Sequence, residues 1–338
     1  MAPLPVGKLP PDLLRELLGR SARPDPRLHL GPGIGLDCAV IDAGDRWLVA
    51  KSDPITFASE EIGWYAVHVN ANDVATTGAR PMWFLATILL PETGSEASLA
   101  EAVFGQIRSA CDQVGAALVG GHTEITAGLT RPIVAGTMLG EAERGRLVTP
   151  RGALPGDRLL LTKGIPIEGA SLLAREFGGR LASLPAETIR RARDYLHAPG
   201  ISVVREALRA AEAGGVHAMH DPTEGGLAGG LWELAEAAGV SLKVDHDAIP
   251  VLPEGRAICE ALGLDPMATI ASGALLLAAV PSSVARITAA LAAEGIACAD
   301  IGEIVEGYGV AMRKAGAWEL LPRPARDAVA ALYDARLE

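Results

Sequence analysis

Two carboxamides and a carboxylate, Asn70, Asn72 and Asp73, interrupt an apolar run that otherwise reads as an ordinary buried helix. Burying such groups is costly unless each is hydrogen-bonded or bound to a metal. Upstream lie Asp37 and the triplet Lys51-Ser52-Asp53, and downstream lies Gly120-Gly121-His122-Thr123-Glu124. Together these oxygen-rich segments suit one hard divalent cation with a polyphosphate, because Mg²⁺ takes a couple of carboxylates alongside phosphate oxygens and water. The structural alternative is a polar network tying the helix to neighbouring loops.

Each segment has its own chemistry. Gly31-Pro32-Gly33-Ile34-Gly35-Leu36-Asp37 lacks dinucleotide-fingerprint spacing, and a strand-like segment follows it instead of a helix. It reads either as a glycine turn before a strand or as backbone closing over phosphates at Gly33 and Gly35, with Asp37 reaching a metal. Asp53-Pro54 closes a strand and is common turn chemistry, but Asp37 and Asp53 sit at the two ends of one hairpin and can converge. The Gly120-Gly121 pair after a strand lets backbone N–H groups approach an anion, with Thr123 adding a hydroxyl. His122 and Glu124 beside it are the candidates for proton transfer. In the second half, Asp221-Pro222-Thr223-Glu224-Gly225-Gly226 passes from a strand into a helix. Thr223 is placed as N-cap, and Gly225 and Gly226 lie at an N-terminus that can hold an anion. Lys163-Gly164 is a weaker cue of the same kind.

The elements that must position these residues alternate. A short helix over Pro11–Leu18 opens the chain, then a hairpin pairs Ala39–Ile41 with Trp47–Ala50. A helix over Glu61–Thr77, a strand over Trp83–Leu90, an amphipathic helix over Ser98–Val114 and strands over Ala117–Val119 and Ile133–Leu139 follow. Pro155-Gly156-Asp157 opens a second half with a strand at Arg158–Thr162, helices at Ile167–Glu176, Ala186–Tyr195, Ser202–Ala213 and Glu224–Ala238, and strands at Leu242–Val244, Ala274–Ala279 and Ala299–Ile304. The grammar is α/β (α+β), helices on sheets. It predicts an arm (1–30), a first domain (31–150), a second (151–315) and a tail (316–338). Trp83, Phe84, Phe104 and Trp232 read as core.

At 338 residues, two domains are expected. Apolar residues at 49% and charged residues at 21% describe a globular chain, and a net charge of −11 argues against nucleic-acid or anionic-membrane partners. The scattered Cys38, Cys111, Cys259 and Cys298 form no CxxC pair, so a zinc site or redox dithiol is not expected. With no basic-then-apolar leader and only short apolar runs, the chain is expected to be cytoplasmic.

The motif order resembles the aminoimidazole ribonucleotide (AIR) synthetase superfamily, also called PurM-like, and within it the HypE branch. The match runs through Gly33–Asp37, Ser52-Asp53, Asn72–Pro81, Gly120–Thr123, Pro155–Asp157, Asp221–Leu227 and Ser272-Gly273. The resemblance implies a two-domain fold that dimerises through its N-terminal sheet, with ATP and Mg²⁺ between the domains or at the dimer interface. It implies that Asp37, Asp53 and Asp73 are the metal and phosphate ligands and that Gly120, Gly121 and Thr123 form a phosphate loop. Ser52, Asn72 and Lys163 are expected on the nucleotide's side, with Asp221 and Thr223 contributed by the second domain. The implied activity is ATP-dependent activation of a carbonyl or amide oxygen on a small molecule or protein carboxamide. A small-molecule kinase like thiamine-monophosphate kinase and a nucleotide-binding partner protein without turnover are the alternatives. HypE-type proteins end in a cysteine-bearing tail, whereas this sequence ends Tyr333 to Glu338 with Cys298 its last cysteine. Self-modification of a terminal thiol is therefore not expected. Relatives place an acidic residue where His122 stands.

Overall fold

The computed structural model describes residues 4, 7–21, 23–56 and 58–334. Two compact units emerge: Asp25–Gly31 with Asp37–Leu147, and the described residues of Met1–Pro24, Pro32–Leu36 and Val148–Glu338. In chain order, helix α1 (Pro11–Ser21) precedes strands β1 (Leu28–Leu30), β2 (Ala39–Asp42) and β3 (Arg46–Ile55) and helix α2 (Ile62–Thr76). Then come β4 (Arg80–Pro91), α3 (Ala97–Val114), β5 (Ala117–Thr126) and β6 (Ile133–Glu143). These strands make one sheet in the order β1-β2-β3-β6-β4-β5, antiparallel except where β5 runs parallel to β4 after the α3 crossover.

Pleat decides which side chains meet, because successive residues of a strand face opposite sides. The register aligns Lys51, Asp53 and Ile55 of β3 with Met138, Gly136 and Val134 of β6 and with Phe84, Ala86 and Ile88 of β4. Those β6 and β4 residues are buried, and α2 packs on that face. Helix α2 is itself buried at every position except Trp64, so it carries no amphipathic stripe. Two glycines of β6 let it lie close. A Cβ at Gly136 would fall 2.5 Å from Asn70 Nδ2, and one at Gly140 would fall 2.4 Å from Val74 Cγ1.

The second unit continues with β7 (Arg158–Thr162), α4 (Ile167–Glu176), α5 (Ala186–Asp194), α6 (Val204–Ala213), β8 (Val216–His220) and α7 (Gly226–Ala238). It ends with β9 (Ser241–Asp245), α8 (Pro253–Leu262), β10 (Leu276–Ala279), α9 (Val284–Ala293), β11 (Cys298–Val305), β12 (Gly309–Lys314), β13 (Ala317–Leu320) and α10 (Ala328–Asp334). Its sheet runs β13-β12-β9-β11-β7-β10-β8, with a core that includes Leu159, Leu161, Leu227, Leu231 and Leu276.

Several expectations change. Lys51–Ile55 continues β3 instead of ending it, and Gly120–Glu124 lies within β5 instead of forming a loop. Phe84 and Trp232 are core as expected, whereas Phe104 is 43% exposed. The expected tail contributes β13 and α10, and residues 335–338 fall outside the described residues. Among the described residues no helix is long and apolar enough to cross a membrane.

Candidate functional site

In the first unit the three predicted metal ligands converge on one lysine. Lys51 and Asp53 are two apart on β3 and so share the face covered by α2. The Lys51 ammonium lies 2.7 Å from Asp73 Oδ2 and 3.1 Å from Asp53 Oδ2. Asp37, two residues before the start of β2, adds its charge to the same group. Asn70, one turn before Asp73, donates from Nδ2 to the carbonyls of Ala66 (2.8 Å) and Asp53 (3.2 Å), which pins β3 to α2. The polar residues of α2 thus serve both readings: Asn70 ties strand to helix, and Asp73 faces the charged cluster. Asn72 is fully buried.

Electrostatics sets the character of this cluster. Burial pushes the Asp73 carboxyl up to about 6; Lys51 opposes that shift, while Asp37 and Asp53 reinforce it. Burial alone would lower the Lys51 ammonium, but Asp73, Asp37 and Asp53 outweigh it and hold it well above an ordinary lysine. Three carboxylates around one cation leave two negative charges in excess. That donor set fits a divalent ion. Among the described residues no group of three or more His, Cys, Asp or Glu side chains is arranged to hold a metal ion by itself. Mg²⁺ does not require such a group, since it is usually held by one or two carboxylates together with substrate phosphates.

Other predicted residues lie elsewhere. Ser52 alternates to the opposite face of β3 and donates to the Gly136 carbonyl, accepting in turn from Thr137. His122 shares a register row with Thr87, Ala135 and Pro54, which places it and Glu124 on the face opposite Lys51 and Asp53. Three strand spacings also intervene between β3 and β5, about 14 Å. His122 Nε2 and Glu124 Oε2 are 3.1 Å apart, and Thr126 donates to Glu124 Oε1. The His122 and Thr126 bonds hold that exposed carboxyl below its usual range. The pair therefore does not join the carboxylate cluster, correcting the expectation of a shared site. Gly121 has φ +147°, and a Cβ there would fall 1.9 Å from the Ala86 carbonyl, so sheet packing accounts for it. Gly120 and Thr123 are strand residues beside it.

The second unit gathers its own cluster. Gly35, at φ +69°, packs against the Glu233 carbonyl, 2.7 Å from where its Cβ would stand, and Gly33 bridges to Leu36. The Lys8 ammonium reaches Thr223 Oγ1 (3.3 Å), Glu224 (3.1 Å) and Glu233 (3.8 Å), and His220 pairs with Glu233 at 2.9 Å. Asp221 is buried between β8 and Thr223. The N-cap of α7 is Gly225 at φ +84°, not Thr223. The N–H of Gly225 donates to Asp327 Oδ2 at 2.7 Å, and that of Gly226 to the Thr223 carbonyl at 3.0 Å. Those two donors are taken up by protein acceptors. Lys163 is likewise occupied, with its ammonium 2.6 Å from Glu206 and donating to the carbonyls of Gly200 and Ser202.

Sequence reasoning passed over Lys51 as a site residue, although its i, i+2 spacing from Asp53 was the signal. It also missed Asp327, for which no local signal exists. Burial pushes the Asp327 carboxyl up to about 7, against the backbone N–H groups of Val329 and Gly225 that favour its charge. A carboxyl raised in the folded state adds stability that is full below about pH 4 and lost as pH rises through about 7. Urea unfolding of the natural chain should therefore lose on the order of 1–3 kcal/mol between pH 4.5 and 7.5 relative to Asp327→Asn. Parallel pH dependence in the two proteins would remove this assignment.

Comparison with known proteins follows the same two halves. The AIR synthase related protein N-terminal domain matches residues 35–142, and the C-terminal domain of the same description matches residues 155–314. The chain belongs to the AIR synthase-related family. Carbamoyl dehydratase HypE of Cupriavidus necator is 33% identical, over 78% of this chain and 74% of the relative. The crystal structure of the hydrogenase maturation protein HypE in complex with ATP superposes with TM-score 0.70 at 25% identity, covering 91% of this chain and 89% of that one. Thiamine monophosphate kinase from Aquifex aeolicus, at TM-score 0.68 and 20% identity over 89% and 94% of the two chains, shares the fold. The family's two-domain PurM-like α/β fold, with HypE proteins as neighbours, is the fold of this chain.

Proposed function

We propose that this family member is an ATP- and Mg²⁺-dependent enzyme that activates a carbonyl or amide oxygen by phosphoryl transfer. The observation that carries this reading is the Lys51–Asp53–Asp73 cluster with Asp37, whose two excess negative charges call for a divalent cation. Asp37, Asp53 and Asp73 are the residues to hold Mg²⁺, which supplies neutralisation of phosphate charge when bound. Lys51 holds Asp53 and Asp73 in place, and Asn70 fixes the Asp53 backbone. Such preorganised charge is the main contribution a protein makes to phosphoryl transfer.

The name of the Cupriavidus relative, carbamoyl dehydratase, denotes removal of water from a carboxamide. In that reaction ATP's γ-phosphoryl moves to the amide oxygen and releases ADP. The oxygen then leaves as phosphate as the amide nitrogen loses its two protons, which gives a nitrile. The carboxamide belongs on another molecule. Cys38, Cys111 and Cys259 are buried, and burial pushes the thiols of Cys111, Cys259 and Cys298 up to about 11, too high for a thiolate acceptor at neutral pH. His122 and Glu124 lie on the other face of the sheet within one chain. We place them at a contact between two copies of the chain along the exposed edge strand β5.

The test is product analysis with ATP, Mg²⁺ and an S-carbamoylated cysteine peptide. ADP, free phosphate and nitrile in equal amounts are expected, and Cys298→Ser should turn over at the natural rate. A stable phosphorylated acceptor would identify a kinase. Tight ATP binding without hydrolysis would identify a nucleotide-binding partner protein.

A further inference from the structure

A cavity of about 380 Å³ opens in the second unit between α1, the glycine loop Pro32–Leu36, the turn Pro150–Gly152 and the end of α7. That volume lies within the range of small-molecule sites, about 300–1,000 Å³. Leu18, Ile34, Leu36 and Ala237 give it apolar walls, and Arg15, Arg151 and Glu236 supply its charge. Both oxygens of Glu236 are taken, Oε1 by Arg15 at 2.6 Å and Oε2 by Arg323 at 2.7 Å. Arg15 also holds Asp12 at 2.6 Å. Arg151 is different. Among the described residues it has no hydrogen-bond or ion-pair partner. The turn that carries it is fixed, because a Cβ at Gly152 would fall 2.1 Å from the His217 carbonyl of β8.

The local balance of three arginines against Glu236 and Asp12 leaves one positive charge, in a chain whose net charge is −11. An exposed guanidinium lining an apolar-walled cavity can receive a carboxylate, since its planar fork matches a carboxylate through two parallel N–H···O bonds. One free charge matches a monoanion. A phosphate dianion would bring a second negative charge near Glu236 with nothing to balance it. We infer that this cavity binds a small organic carboxylate with an apolar body, the carboxylate on Arg151 and the body against Leu18, Ile34 and Leu36. The cavity shares no residue with the carboxylate cluster that carries the proposed ATP chemistry, and the inference stands whether or not that reading holds.

Titration calorimetry of the full chain with benzoate, benzamide and phenyl phosphate tests the inference, using Arg151→Gln and the cavity-filling Leu18→Trp. Benzoate should bind at millimolar concentration and more tightly than phenyl phosphate, with neutral benzamide not binding. Arg151→Gln should weaken benzoate about ten- to a hundredfold, the worth of one charge-assisted bidentate contact. Leu18→Trp should abolish binding while leaving the circular dichroism spectrum unchanged. If Leu18→Trp perturbs folding, Arg151→Gln alone decides. Absence of benzoate binding, equal affinity in Arg151→Gln, or competitive displacement of benzoate by ATP would overturn the inference, the last by merging the cavity with the nucleotide site.

Discussion

Asp73→Asn should abolish Mg²⁺-dependent ATP binding while leaving the protein's stability nearly unchanged, and Lys51→Met should destabilise the fold. The two substitutions act on opposite sides of one charge balance. Asn at position 73 keeps an oxygen to accept from the Lys51 ammonium, which now sits 2.7 Å away. It removes the charge that burial most disfavours, so stability should change by no more than about 1 kcal/mol. The donor set loses one of its three carboxylates and half of its excess charge. Calorimetric titration with ATP and Mg²⁺ should then show at least about a hundredfold loss, or about 2.7 kcal/mol. Binding that stays at the natural level would rule out the carboxylate cluster as the metal site.

Lys51→Met removes the cation that bridges Asp53 and Asp73. Breaking a buried pair from one side strands the remaining charge, at a cost of about 3–5 kcal/mol. The side chain of Asp73 is only 4% exposed and cannot turn to water without unwinding α2. Urea unfolding measures the loss directly. A Lys51→Met protein as stable as the natural one would mean that the carboxylates already share another counter-charge, and the argument from excess charge would fail with it. The pair of substitutions therefore separates architecture from ligand binding, which neither does alone.

What the sequence disclosed, and what it withheld, follows from the range of the interactions. Helices α2 and α4 and strand β7 were legible because period and turn residues are local signals. The convergence of Asp37, Asp53 and Asp73 was legible through the hairpin that joins the first two and the polar break in α2. Face assignment was not. Asp53-Pro54 looked like a strand end, yet β3 continues to Ile55, and only that continuation puts Lys51 and Asp53 under α2. Gly120-Gly121 looked like a loop, but Gly121 answers to the nearby Ala86 carbonyl, and the strand turns His122 to the far face. Gly225 and Gly226 looked like an anion cradle. Their positive φ and the close approach of Met267 and Thr269 to Gly226 serve the packing of α7. Lys8 and Asp327 meet this segment from 215 and 102 residues away, where no local pattern encodes a partner.

The edge strand β5 carries the other large expected effect. It stands last in its sheet, ten residues long, with Leu118, Val119 and Ile125 at 40–59% exposure. Long apolar edge strands template pairing with other chains, and natural proteins shorten, charge or cover them. The one acidic side chain on β5, Glu124, is partly neutralised by His122 two residues before it, so the edge is not guarded by charge. A second copy offers the same strand, and a two-fold contact of a surface with itself closes without leaving a further edge. The natural chain should therefore sediment at about twice 34.9 kDa. The double substitution Val119→Lys and Ile125→Lys sets like charges on both copies and should yield a monomer. Because β5 lies three strands beyond β3, the Lys51 cluster should remain intact in that monomer, and its thermal unfolding should stay cooperative. Wild-type monomers at micromolar concentration, or dimers that survive both lysines, would show that this edge is covered by something other than its own copy.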